Sequence, residues 1–348
     1  MKILVLNAGS SSLKYKLYDN LEPIYSGLVE EIGSDGFVDA IGTMEQDLVS
    51  VGLKSLSDLD AIGHRVVHGG ESFKNSVVID SSVMAEIERL IPLAPLHNSV
   101  NLDGIRVSTA HAPTVPQVAV FDTAFHQTLE KSAYMYALPY EIYESYGVRR
   151  YGFHGTSHMY IAHESADRLG MALEDTNLIT IHLGNGASVC AIEQGRSIDT
   201  SMGFTPLEGL MMGSRSGDID PAIVLYLQRE HSYTVEQIDT MLNSQSGLKG
   251  ICSASDMRQI KQMIEQGDSK ALLAHDMFCR RVGKYIGAYH ALLGRVDAVV
   301  FAGGIGEHDS MTREKIAEYI RFDTTQMVIS TDEELVIARE TSNLLISK

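Results

Sequence analysis

Three short runs of small residues carry the first chemical signal in this chain: Asn7-Ala8-Gly9-Ser10-Ser11-Ser12, Gly184-Asn185-Gly186-Ala187-Ser188 and Gly303-Gly304-Ile305-Gly306. Where side chains are small, backbone N–H groups and hydroxyls can converge on anionic oxygens, so strand-turn-strand loops of this kind suit phosphate. One alone is most often a tight hairpin turn. Three in one chain, two of them in repeated settings, favour phosphate. Neither GxxxxGK[ST] nor GxGxxG occurs, so no P-loop or dinucleotide fingerprint competes. Arg65, in His64-Arg65-Val66-Val67-His68-Gly69-Gly70, and Arg215, in Gly213-Ser214-Arg215-Ser216-Gly217-Asp218, have few bulky neighbours. Each is placed to offer a guanidinium to an anion, the competing use being a surface ion pair. Of thirteen histidines none lies in an HExxH motif, and the pair His154 and His158 falls in a Gly/Ser turn, so a zinc site is not supported. His154 and His182 read as donors to developing charge, and His64, His68 and His97 as hydrogen-bonded structural histidines. The methionines read as core filler.

These residues need elements to hold them. Residues 3–6 are apolar, 7–12 punctuate and 13–18 alternate, which predicts a hairpin. The same layout returns at 178–192, near half the chain length away. A repeat of that period points to duplication, two similar α/β lobes facing each other across a cleft. Strands are further predicted at 59–67, 115–121 and 296–302. Helices are predicted at 81–90 with Ser81 or Ser82 as cap, at 221–227, 235–242 and 271–293, and at 333–345. No Pro-rich or low-complexity linker appears, so the lobes should be joined near 123–150.

Composition bounds the function. The 348 residues suffice for two domains or one doubled one. A formal charge of −17 repels phosphodiester backbones and anionic lipid, arguing against nucleic-acid and peripheral membrane roles. In so acidic a protein an anionic substrate must be drawn by local cations. Cys190, Cys252 and Cys279 are odd in number and form no CxxC, which fits a reducing cytoplasm better than a disulfide framework. No signal h-region or run of about 18 apolar residues is present, so neither export nor a membrane anchor is expected.

The loop at 7–12 with Lys14, the Arg65 segment, Ala94-Pro95-Leu96-His97-Asn98, residues 121–126, 151–158, 182–188, 199–209, 213–220 and 303–307 together closely resemble the acetate kinase family across nearly the whole chain. That resemblance implies the acetate and sugar kinase, heat-shock protein 70 and actin superfamily, an α/β fold of two duplicated ribonuclease-H-like lobes facing a central cleft. The lobes would be residues 1–149 plus 334–348, and residues 150–333, the latter carrying most nucleotide contacts. It implies reversible phosphoryl transfer between ATP and acetate giving acetyl phosphate and ADP, with Mg2+ or alternatively Mn2+, in a cytoplasmic homodimer. Carried over by position, Arg65, Asp122, His154 and Arg215 would be catalytic, Asp122 by helping to orient the arginines or the metal, with Val67, Leu96, Phe153 and Pro206 around the acetate methyl group. Asn7, Ser10, Ser12, Lys14, His182, Gly184, Asn185 and Gly186 would hold phosphates. Asp256, Met257, Arg258, Gly303, Gly304, Ile305 and Gly306 would hold adenosine, and Asn7 and Glu333 the metal.

The residue types agree with that chemistry. A carboxylate nucleophile is already ionised, so catalysis reduces to positioning and charge neutralisation, whereas a sugar kinase needs a base for its hydroxyl. The alternatives are a propionate or butyrate kinase and, in another class, a non-catalytic nucleotide-binding protein of the same fold. The chain departs from the family in being shorter, at 27–57 and at 307–331. Shortening of the second stretch, near the base, predicts looser purine selectivity.

Overall fold

Ile3, Leu4, Val5 and Leu6 are apolar without alternation, the pattern of a strand covered on both faces. The computed structural model, which describes residues 1–9, 12–30 and 36–346 with the side chain of Leu96 excepted, buries all four in strand β1, Lys2–Ala8. Contacts divide the chain into two compact units, Met1–Gln127 with Asp332–Lys348, and Thr128–Thr331.

The first unit is built on a six-stranded sheet. β1 pairs antiparallel with β2, Ser12–Asp19, which pairs antiparallel with β3, Glu22–Glu30. On its other side β1 runs parallel to β4, Ala61–Val66; β6, Gln117–Phe121, continues the sheet in parallel and the short β5, Val77–Val78, closes it. Leu4 and Leu6 face the helix Gly36–Val49 through Ala40, Ile41, Met44 and Leu48. Ile3 and Val5 face the terminal helix Glu333–Ile346 through Ile337 and Ala338. That helix lies close on β4: a Cβ on Gly63 would come within 2.6 Å of Thr341 Oγ1 and 2.8 Å of Ile337 Cγ2. Only glycine allows this approach, which fixes Glu333 and Glu334 at the helix start relative to β4.

The second unit repeats the plan. β7, Asn177–Leu183, pairs antiparallel with β8, Ala187–Glu193, and β8 with β9, Arg196–Thr200. β10, Ala298–Ala302, lies parallel to β7, and β11, Thr325–Val328, parallel to β10. The order β3-β2-β1-β4-β6 is therefore matched by β9-β8-β7-β10-β11. Duplication extends well beyond the one hairpin that the sequence displays. The helices Gly155–Leu169 and Ser269–Leu293 supply buried faces in this unit.

Several expectations need correction. The stretch Gly303–His308 is a short helix after β10, not a strand-turn-strand loop. Gly303 sits at φ +74°, where a Cβ would lie 2.7 Å from Leu183 O, so its role is close approach to β7. The helix Ser81–Arg89 is capped by Asp80, whose side chain accepts from the Val83 N–H, rather than by Ser81 or Ser82. β3 and the helix Gly36–Val49 occupy a stretch left unassigned by the sequence. The three cysteines are buried. Among the described residues no helix is long and apolar enough to cross a membrane.

Candidate functional site

In the first unit the ends of β1, β4 and β6 bring Asn7, Arg65 and Asp122 together. Arg65 Nε donates to both oxygens of Asp122 at 3.1 and 3.0 Å, Nη2 donates to Oδ2 at 2.5 Å, and Nη1 donates to Asn7 Oδ1 at 3.2 Å. Asp122 is buried at 1% exposure, so the guanidinium is fixed in a planar fork by a rigid anchor. Lys14, opposite Asn7 in the β1–β2 register, pairs with Glu334 at 2.7 Å. Glu333 makes no hydrogen bond among the described residues. Its carboxyl is pushed up to about 7, by burial first and then by Asp122 and Glu334, against the pull of Arg65 and Lys14. A carboxylate so placed fits a divalent cation, which would supply the positive charge that Glu333 lacks. No group of three or more His, Cys, Asp or Glu forms a metal cage among the described residues.

The segment after β4 is fastened by residues that no motif in the sequence assigns a role. Asn101 Oδ1 accepts from the Val67 N–H at 3.0 Å and Asn98 Oδ1 from the His68 N–H at 3.0 Å, while Thr123 Oγ1 accepts from the Gly69 N–H at 2.9 Å. Asn98 and Asn101 lie on the helix Pro95–His111, three apart and on one face, which is the signal that identifies them. His64 and His68 are structural. His64 Nε2 lies 2.7 Å from Gln117 Oε1, His68 Nδ1 accepts from the Gly70 N–H, and burial lowers both to about 4.

The second unit gathers a different set. His154, at φ +57° before the helix Gly155–Leu169, places Nδ1 2.9 Å from Ser188 Oγ. His158 Nε2 reaches the same hydroxyl at 2.8 Å, so Ser188 orients both rings. His182 Nδ1 is 2.8 Å from Ser157 Oγ, and its ring lies 4.5 Å from that of His154, centroid to centroid. A Cβ on Gly186 would stand 3.4 Å from His154 Nε2 and 3.7 Å from Arg215 Nη1, so the β7–β8 loop, His154 and Arg215 converge. The Arg215 loop is closed by Gly217 at φ +65°, where a Cβ would lie 2.4 Å from Leu210 O. Arg215 has no carboxylate partner among the described residues; its guanidinium makes one polar contact, Nη1 to Met212 Sδ at 3.9 Å. Burial lowers its pKa. A half-buried cation without a counter-ion is a site for an anion.

Beside this lies a cavity of about 440 Å³, lined by Gly184, Asn185, Ser255, Asp256, Met257, Arg258, Lys261, Gly304, Ile305, His308 and Asp309. It unites seven of the residues expected at the nucleotide. Gly303 and Gly306 are buried behind it and do not line it. Lys261 and Asp309 were not foreseen: a helix-face lysine and a cap aspartate 48 positions apart carry no local signal. Ser10 lies outside the described residues, as does the side chain of Leu96. Ser12 opens β2, and its carbonyl accepts from the Gly9 N–H. Val67 is buried in the first unit; Phe153, buried, and Pro206 belong to the second.

The family model described as the Acetokinase family matches residues 2–52 and 38–348. The chain is 46% identical over 398 positions to an acetate kinase of Carboxydothermus hydrogenoformans, covering all of both chains, and 50% identical over 388 positions to one of Sulfurovum sp., covering 98% of each. A chain of 348 residues is therefore gapped in both alignments, and the two stretches matched by the family model meet at 38–52, inside the first of the two regions expected to be short. Among solved structures, Porphyromonas gingivalis acetate kinase matches at TM-score 0.92 and 41% identity, over 99% of both chains. A propionate kinase from Francisella tularensis matches at 0.93 and 41%, over 98% of this chain and 99% of that one. A Thermus thermophilus ROK hexokinase, 14% identical at TM-score 0.53, shares the fold alone. Together with the repeated five-strand order, these matches make the fold that of the actin-like ATPases and place the chain in the Acetokinase family.

Proposed function

We propose that this protein is an acetate kinase, transferring the γ-phosphoryl of ATP directly and in line to the carboxylate of acetate, reversibly, to give acetyl phosphate and ADP. The observation that carries this is Arg215, a half-buried guanidinium without a counter-ion, beside His154 and the Gly184–Gly186 loop. It supplies charge where the transferring phosphoryl needs it. Arg65 supplies a second cation, oriented by Asn7 and Asp122. Asp122 accepts three hydrogen bonds from Arg65, so it serves as an anchor rather than as the base a sugar hydroxyl requires. Acetate, already ionised, needs no base.

For the methyl group, the family positions Val67, Leu96, Phe153 and Pro206 are apolar. One methylene in an apolar pocket is worth about 1–3 kcal/mol. Acetate is therefore expected to exceed propionate in kcat/KM by roughly 10- to 200-fold, with butyrate lower still. Initial rates of ADP release with the three acids measure this, and equal or reversed preference would make the chain a propionate or butyrate kinase.

Asn7 and Glu333 would hold Mg2+, which when bound neutralises phosphate charge. Chelation is expected to abolish turnover and Mg2+ or Mn2+ to restore it. Glu333→Gln should raise the Mg2+ concentration needed for half-maximal rate several-fold. An unchanged requirement would remove Glu333 from the metal site.

We further propose a cytoplasmic homodimer, the cytoplasm being where ATP is supplied. The dimer is supported by exposed Ile223, Leu225 and Tyr226 on the helix Ala222–His231 and exposed Leu272, Leu273 and Met277 on Ser269–Leu293. Light scattering should give about twice 38.1 kDa. A monomer at micromolar concentration would refute it.

A further inference from the structure

The nucleotide cavity holds one fixed ion pair that the phosphate and ribose do not explain. The Gly184–Asn185 side of the cavity adjoins Arg215 and His154 and takes the phosphates, so the base meets the wall made by residues 255–261 and 304–309. On that wall Arg258 is 89% exposed, with Nε and Nη2 both donating to Asp256. His308 is 81% exposed. Asp309, by contrast, is 8% exposed, and its carboxylate is locked. Thr312 N–H donates to Oδ1 at 3.1 Å and Thr312 Oγ1 donates to Oδ2 at 2.8 Å. Since that hydroxyl proton goes to Asp309, the same oxygen accepts from His275 Nε2 at 3.0 Å, which buttresses it from the core. Lys261 Nζ donates to Asp309 Oδ1 at 3.1 Å.

Counting donors and acceptors shows what remains. Asp309 Oδ1 takes two bonds, from Thr312 N–H and Lys261, and Oδ2 takes one, which leaves Oδ2 an acceptor site. Lys261 keeps two N–H donors with no other hydrogen bond among the described residues. An acceptor and donors therefore stand side by side on a rigid support.

We propose that the Lys261–Asp309 pair reads the 6-position of the purine and accommodates both kinds. A 6-amino group donates to Asp309 Oδ2, and a 6-oxo group accepts from Lys261. The proposal rests on the kinase reading for the identity of the ligand as a purine nucleotide. It also gives a physical cause for the loose purine selectivity expected from the shortened 307–331 stretch.

The test compares kcat/KM for ATP, GTP and ITP, and calorimetric binding of ADP, GDP and IDP, in the wild type, Lys261→Met and Lys261→Arg. In the wild type, GTP and ITP should fall within about tenfold of ATP, a difference near 1.4 kcal/mol. Lys261→Met should lower GTP and ITP by about tenfold or more and ATP by distinctly less, because the 6-oxo group loses its donor whereas Asp309, though it loses its counter-ion, is still held by Thr312 and keeps Oδ2 for the 6-amino group. Lys261→Arg should restore most of the loss. Equal losses for all three nucleotides would place Lys261 on the phosphates or ribose, and no loss would remove it from recognition; either overturns the proposal. A wild-type preference for ATP of a thousandfold would overturn it as well. Should the wild type bind the diphosphates yet transfer no phosphoryl, the kinase reading fails and the binding series still decides the base contact. Should it bind none of them, both fall.

Discussion

Arg215→Ala is expected to lower kcat by at least about 100-fold, on the order of 3 kcal/mol, with little change in thermal stability. The side chain makes one weak polar contact within the protein, to Met212 Sδ, so its removal leaves no buried partner stranded. The loop itself is held by backbone bonds that the substitution keeps, Met212 N–H to Arg215 O at 3.1 Å and Ser216 N–H to Leu242 O at 3.0 Å. A cation kept without a counter-ion in a half-buried place costs stability, and burial already lowers its pKa. On the proposed reaction, that cost is offset when charge builds on a phosphoryl group. The loss should therefore fall on kcat and on kcat/KM alike. A variant with near-normal kcat and raised KM would show that Arg215 merely binds the ground state.

Arg65→Ala should lower kcat by a similar factor and, unlike Arg215→Ala, should also destabilise the fold. Reading the sequence alone suggests that folding is little affected; the structure changes that expectation. Asp122, 1% exposed, loses three hydrogen bonds when the guanidinium goes. Removing one partner of a fully buried pair costs about 3–5 kcal/mol, and since Arg65 is itself 23% exposed the loss here should be about 1–3 kcal/mol. Arg65→Lys should rescue little activity, because a point charge cannot span both oxygens of Asp122 and reach Asn7 at once. Thermal melts and single-turnover rates on the two variants separate the structural loss from the chemical one. If Arg65→Lys turns over at near the wild-type rate, the forked geometry has no catalytic role.

How much of this was legible in the sequence follows from what each element asks of its residues. Both hairpins are visible because their core strands are apolar-rich, residues 3–6 without interruption and 178–183 with Thr180 and His182 among Leu and Ile, and each stops at a polar or small residue, Asn7 or Gly184. β3 is not, since Ile24 and Leu28 point to solvent on an edge strand while Tyr25 and Val29 pack inward, leaving a pattern apolar on both faces. The helix Gly36–Val49 contains Gly36, Gly42 and Thr43, all weak helix formers, and is stabilised by burying Ile41, Met44 and Leu48 instead. At 303–306 the glycines read as a loop, whereas Gly303 serves close packing on β7 and a helix follows at once. Arg215 was legible because its Gly and Ser neighbours leave it nothing to pair with. The anchoring of Arg65 by Asp122 is implied by the family resemblance alone and by no local pattern, because 57 residues separate the two and only the parallel β4–β6 register brings them together.

Trapping of the product with hydroxylamine tests the proposed reaction most directly. The purified protein is incubated with ATP, Mg2+, acetate and neutral hydroxylamine, with ADP and acetohydroxamate measured in the same samples. Direct transfer to the carboxylate predicts one hydroxamate per ADP, both dependent on acetate and both nearly absent in Arg215→Ala. ADP released without hydroxamate would mark a nucleotide hydrolase, and neither product with acetate, propionate or butyrate would contradict carboxylate phosphorylation altogether.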